Sequence, residues 1–131
     1  MALTIEDQLE IHGLVARYNH AVDSGNGDAY ADTFTADGIL DAGALVVEGR
    51  EALAAFATGL PSSMRSPRHI ASNLVIEGDG QRATVNAYVQ MYVLAGDPPH
   101  PELAVSGKYA DELVRTGGRW VFARRVFTRD E

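Results

Sequence analysis

The chain contains no cysteine, which excludes disulfide staples and thiolate metal sites and leaves the fold to rest on its core. Basic residues are also scarce: 11 Lys and Arg stand against 18 Asp and Glu, a formal net charge of -7. They form no continuous run, so neither nucleic acid nor an anionic membrane surface is an expected partner. No apolar stretch reaches the ~20 residues of a membrane-spanning helix, and the opening MALTIEDQ has no basic region followed by an apolar one. A cytoplasmic setting and a small, hydrophobic organic ligand are the expectation. Internal repeats, linkers and low-complexity segments are absent, and 131 residues make one domain over 1–131 with one main pocket. No phosphate-binding glycine loop, dinucleotide fingerprint or G-x-S-x-G elbow occurs, and no cofactor is expected. His12, His20 and His100 have no companions at metal-ligand spacing, so no metal is expected either.

What is present begins with a helix. Thr4 followed by Asp7 has the form of an N-cap, and Ile11, Leu14, Val15, Tyr18 and Val22 recur at helical spacing. The buried face of this helix therefore ends in a phenol, and Asp23 follows it. Gly25 and Gly27 stop the helix, Asp28 is positioned to cap a short second one to Phe34, and Thr35–Gly38 reads as a turn. Residues 39–41 and 45–48 form a candidate hairpin. From Arg50 to Gly59 the pattern is helical again, burying Leu53, Phe56, Ala57 and Leu60, and Pro61–Pro67 reads as a mobile loop that could act as a lid. Four strands follow, over 69–77, 81–94, 103–115 and 119–128, joined in part by short glycine-rich turns that favour antiparallel pairing. Helices first and long strands afterwards indicate an α+β domain with helices covering one face of an antiparallel sheet.

Alternation within the strands assigns faces. His69, Ala71, Asn73 and Val75 share one side of the first long strand, so Asn73 is a candidate to hold His69 or a ligand oxygen. In the second, Ala83, Val85, Ala87, Val89 and Met91 form an apolar row opposite Thr84, Asn86, Tyr88, Gln90 and Tyr92. Two partly apolar faces fit helices on one side and a second subunit on the other, a homodimer through the outer sheet face. Tyr109 and Asp111 share a face, Arg124 and Arg125 lie on opposite faces of the last strand, and one of them is positioned to anchor an acidic substrate group or to pair with Asp111. Trp120 and Phe122 read as core.

Four segments, RYNHAVDSGN with AYADTFTADG, VVEGREAL, RHIASN and GKYADELVRTGGRWVFARR, together resemble the SnoaL-like branch of the NTF2-like superfamily over nearly the whole chain. That resemblance implies a cone: a long N-terminal helix and short helices packed on a strongly curved antiparallel or mixed sheet, around a hydrophobic pocket. The site pattern is similar to that of scytalone-dehydratase-like and bile-acid-dehydratase-like members, and carries over to Tyr18, Asp23 and His69. Their implied roles are a phenol that polarises a carbonyl or leaving hydroxyl, a carboxylate that orients the imidazole, and an imidazole that moves a proton. Imidazole suits that task because it titrates near neutrality. Asn73, Tyr88, Tyr109 and Phe56 are the candidate substrate contacts. The implied activity is a cofactor-free lyase or isomerase, of dehydratase or cyclase type, on a cyclic or polyketide-like substrate. The alternatives are a non-catalytic ligand-binding module, or an epoxide hydrolase or aldol cyclase for which Asp23 is the one candidate carboxylate. The sequence departs from the pattern in one respect: residues 81–94 carry no second His or acid, as some dehydratase relatives do, which leaves dehydration itself less specified than proton transfer.

Overall fold

A computed structural model describes residues 2–131. Helix α1 (Ile5–Ser24) opens on Thr4, whose side chain accepts from the Asp7 N–H while the Asp7 carboxylate accepts from the Thr4 N–H, a reciprocal cap that satisfies two otherwise unpaired donors. Ile11, Leu14, Val15, Tyr18, Ala21 and Val22 are buried along one stripe, as the helical spacing requires. The helix ends because Gly25 adopts a left-handed conformation, φ 72°, and its N–H turns back to the Ala21 and Val22 carbonyls. A Cβ there would stand 2.9 Å from the Pro61 ring, so the missing side chain also lets the third helix close on this corner.

Helix α2 (Gly27–Ala31) is capped by Asn26 and not by Asp28: the Asn26 side chain accepts from the Ala29 N–H. Strand β1 (Phe34–Asp41) begins where a turn was expected. Thr35–Gly38 is an irregular, shifted stretch of that strand, a bulge that alternation alone cannot distinguish from a turn. Strand β2 (Val46–Glu48) pairs antiparallel with it, as the hairpin reading anticipated. Helix α3 (Arg50–Ser63) continues past Gly59 and contains Pro61, so only Met64–Pro67 remain as the connection that was read as a seven-residue lid. Proline is tolerated there because it lies in the last turn, where one lost backbone bond interrupts little helix.

The remaining strands, β3 (Arg68–Gly78), β4 (Arg82–Ala95), β5 (His100–Thr116) and β6 (Arg119–Arg129), join β1 and β2 in one six-stranded sheet of order β2-β1-β6-β5-β4-β3. β1 and β6 are parallel and every other pair is antiparallel, making the sheet mixed. Its inner face packs on the helices. Ala83, Val85, Ala87, Val89 and Met91 of β4 are buried with Leu53 of α3, Leu113 of β5 and Trp120 and Phe122 of β6, while Thr84, Asn86, Tyr88 and Gln90 face outward. Arg125 and Asp111, on neighbouring strands, are both fully enclosed and joined by two hydrogen bonds of 2.9 and 3.0 Å. Arg124 points the other way, to Asp41 at 2.6 Å.

One expectation about faces fails. β3 carries an extra residue between Ser72 and Val75, where Asn73 takes φ 56° and two residues oppose one of β4. The bulge shifts the alternation, so Leu74 and Ile76 pack inward and Val75 lies 53% exposed. Asn73 therefore leaves the face it was expected to share with His69. Among the described residues no helix is long and apolar enough to cross a membrane.

Candidate active site

A helix end and a strand start meet at the site. α1 stops at Gly25 just after Asp23, and β3 starts just after Pro67, placing His69 at the beginning of the strand. The Asp23 carboxylate lies 2.6 Å from His69 Nδ1 and accepts the His69 backbone N–H on both oxygens, at 3.0 and 3.2 Å. A carboxylate cannot donate, so Nδ1 carries the proton, and a neutral ring then presents its lone pair at Nε2. The two side chains are 12% and 15% exposed.

His69 forms the wall between two spaces. Inside the cone is a cavity of about 210 Å³, where the imidazole stands with the phenols of Tyr18 and Tyr109 against apolar walls from Val22, Leu40, Phe56, Val89 and Met91. Outside, between α1 and β3, is a larger groove that includes Asp23, Asn19, His12, His20 and Arg68 together with His69. Asp23 does not line the inner cavity. Five helical residues turn it ~140° from Tyr18, so the phenol faces inward, the carboxylate lies behind, and His69 spans the gap.

The phenol end is dry and rigid. The Tyr30 and Tyr18 hydroxyls lie 3.0 Å apart, and when Tyr30 is the donor the Tyr18 proton is left to an acceptor in the cavity. The two rings lie 4.8 Å apart, and Tyr18 and Tyr109 are both buried. Burial holds Tyr18 and Tyr109 well above the usual phenol range, and lifts Tyr30 in the same direction, so all three are neutral donors at physiological pH. Behind them the Arg125 guanidinium is stacked 3.5 Å from the Tyr109 ring centre and 4.3 Å from that of Tyr18. Burial by itself would pull Arg125 down, but Asp111 together with the Tyr109 and Tyr18 phenols outweighs it and the net direction is upward. Burial raises the Asp111 carboxyl against the pull of Arg125; the two-point geometry is that of an ion pair.

Comparison with known proteins assigns the family. Residues 3–126 match the family described as the SnoaL-like domain. The chain belongs to that family. Among solved structures, a Nostoc punctiforme protein of unknown function with a cystatin-like fold is 28% identical, with 99% of this chain and 96% of that one covered and a TM-score of 0.88. A Novosphingobium aromaticivorans protein, provisionally assigned as an aromatic ring hydroxylase, is 30% identical over 98% and 92% of the two chains, with a TM-score of 0.84. A second protein from that organism, provisionally assigned as a scytalone dehydratase, is 22% identical over 97% and 86%, with a TM-score of 0.83, and shares the fold. The architecture is thus the NTF2-like, cystatin-like one. No curated protein matches the chain.

In this SnoaL-like domain, the residues singled out from sequence divide into three groups. Tyr18, His69, Phe56 and Tyr109 line one cavity, and Asp23 reaches it through His69. Asn73 and Tyr88 are excluded from it. Both border a depression on the opposite side of the sheet, Asn73 because of the bulge and Tyr88 because it belongs to the outward row of β4, where it is 54% exposed. Sequence reasoning missed Tyr30, which looks like an ordinary core aromatic on a five-residue helix, and whose partner Tyr18 is identifiable only in three dimensions. Met91 and Val89 occupy the inward positions of β4 near the site, the strand without an acid or second imidazole. Among the described residues no group of three or more His, Asp and Glu is arranged to hold a metal ion.

Proposed function

We propose that this SnoaL-like domain is an acid–base lyase or isomerase acting on a small hydrophobic carbonyl compound held in the cone. The observation that carries the reading is the Asp23–His69 pair at 2.6 Å, on the wall of a cavity whose other polar groups are buried, neutral phenols. His69 Nε2 takes the proton from the carbon next to the carbonyl, the electron pair moves onto the carbonyl oxygen, and the enolate accepts a hydrogen bond from Tyr18. Asp23 stabilises the imidazolium and keeps its tautomer. The imidazolium then returns the proton, either to a departing hydroxyl, which leaves as water, or to a more distant carbon, which moves the double bond.

The test needs no knowledge of the natural substrate. Neutral ketones incubated with the protein in deuterated water are followed by NMR for exchange at the α-carbon. Exchange that His69→Ala abolishes and Tyr18→Phe lowers supports the assignment; exchange at the wild-type rate in both variants overturns it.

The absence of an acid or base among the inward residues of β4 favours a second reading, a pocket that binds an apolar ligand without converting it. Saturable binding with no exchange in the wild-type protein selects that reading. Epoxide opening through a carboxylate-activated water is disfavoured, since Asp23 lies behind the imidazole and not in the cavity.

We further propose that a second copy of the chain covers the outer sheet face. Ile70 (48%), Val75 (53%) and Tyr88 (54%) are exposed there on adjacent strands, an apolar patch of the kind that marks an interface. A monomeric mass by light scattering, unchanged by Tyr88→Glu, refutes it.

A further inference from the structure

We infer that the cavity takes a neutral, single-ring carbonyl compound, a class narrower than the resemblance implies; that this ligand is a substrate rests on the proton-transfer reading. Size sets the first limit. An apolar cavity of about 150 Å³ accommodates benzene, roughly 25 Å³ for each ring atom. At about 210 Å³, the space between Tyr18 and His69 therefore holds about eight non-hydrogen atoms, which is one six-membered ring with an oxygen and a small substituent. Ordinary ligand pockets begin near 300 Å³. A fused polycyclic skeleton exceeds the volume and would project from the cavity into solvent.

Charge sets the second limit. No Lys, Arg, Asp or Glu lines the cavity. The nearest buried charges, Arg125 and Asp111, bond to each other; Arg125 keeps one unpaired donor, Nη1, but Arg125 does not line the cavity, and the rings of Tyr18 and Tyr109 lie over the guanidinium. An ionised ligand would lose its hydration with no fixed counter-charge to replace it, a heavy cost in an apolar enclosure. Polarity sets the third. Tyr18 and Tyr109 offer hydroxyl protons, and His69, on the wall shared with the groove, offers a lone pair at Nε2. A ketone oxygen at the phenols, with an acidic carbon turned to the imidazole, meets both. Phe56 and Phe127 supply apolar surface for the ring.

The experiment follows protein resonances of His69, Tyr18 and Tyr109 by NMR during titration with three probes: cyclohex-2-enone, a steroid enone and cyclohexanecarboxylate. The expected result is saturable shifts of these resonances with cyclohexenone, at an affinity at least about tenfold above the other two probes. Met91→Ala removes side-chain volume from the cavity wall, and is expected to admit a two-ring ketone that the wild-type protein refuses. A steroid enone that shifts the same resonances as tightly overturns the size limit. Equal binding of the carboxylate overturns the charge limit, and no response to cyclohexenone overturns the inference entirely. Cyclohexenone binding without α-deuterium exchange leaves this ligand class standing and removes the proton-transfer reading, so the two failures are separable.

Discussion

The buried Arg125–Asp111 pair permits a quantitative test of how the cone floor is held. Both side chains are fully enclosed, the carboxylate takes two hydrogen bonds of 2.9 and 3.0 Å, and the guanidinium lies over three aromatic rings, with Phe122 at 4.4 Å the third. Removing one partner strands a charge in this enclosure, which costs about 3–5 kcal/mol. For 131 residues the unfolding entropy is on the order of 275 cal/mol/K, so Arg125→Met or Asp111→Leu should lower the melting temperature by about 11–18 °C. The combined variant Arg125→Met with Asp111→Leu strands nothing. It loses the cation–π contact, worth about 2 kcal/mol when desolvated, and should fall no more than about 7 °C below the wild-type protein. Circular dichroism melts and urea titrations of the four proteins measure this coupling directly. Single variants that cost under about 1 kcal/mol, or a double variant whose loss equals the sum of the singles, would refute the description of the pair as a desolvated charge couple.

Three further outcomes follow from individual contacts. Tyr18→Phe leaves the Tyr30 hydroxyl without its 3.0 Å partner and should cost about 1–2 kcal/mol in urea unfolding, part of which Tyr30→Phe restores when added. Leu53→Ala empties a position with no solvent exposure and should cost about 2–5 kcal/mol, with an unchanged circular dichroism spectrum at low temperature. The Thr4 N–H, and after it the Trp120 indole, hold the Asp7 carboxyl below its ordinary value. Its stabilisation is therefore complete above the ordinary carboxylate range, near pH 4, and is lost as pH falls through the lowered value. The melting temperature of the wild-type protein should exceed that of Asp7→Asn at pH 7, and the gap should close in melts run at progressively more acidic pH.

Much of the architecture was legible because it depends on local signals. The Thr4 and Asp7 spacing, the apolar stripe from Ile11 to Val22 and the Gly25 stop each act within a few residues, and each appears in the structure where the chain pattern puts it. The outward row containing Tyr88 was legible for the same reason, yet its assignment to substrate was not supportable, since a row facing away from the helices cannot also line the cone. Errors concentrate where one residue breaks a period. The bulge at Asn73 reverses the face of everything beyond it, and its cause, a left-handed asparagine opposite Ala87, has no signature in hydrophobic alternation. The irregular start of β1 misled in the same way. Proximity across the chain was legible only through resemblance: Asp23 and His69 lie 46 residues apart, and no periodic argument connects them.

The contact between those two residues also explains why the helix end, and not its middle, carries the candidate chemistry. A carboxylate held only by an imidazole would rotate whenever the ring released a proton or turned toward a ligand. Here the His69 backbone N–H donates to both Asp23 oxygens, so the start of β3 orients the carboxylate independently of the ring. A proton carrier of the kind proposed requires this preorganisation, since the group that stabilises the ring then keeps its place independently of the ring. Such an arrangement needs a backbone donor not already committed to the sheet. An edge strand provides one at its start, since β3 pairs with β4 on one side alone, and the last turn of α1 brings a carboxylate to that open side because Gly25 ends the helix there. The stop signal in the sequence thus borders the site: Gly25 ends the helix two residues after Asp23, where the chain meets Pro61 of α3, and Asp23 stands in the last helical turn with the free amide of β3 within reach.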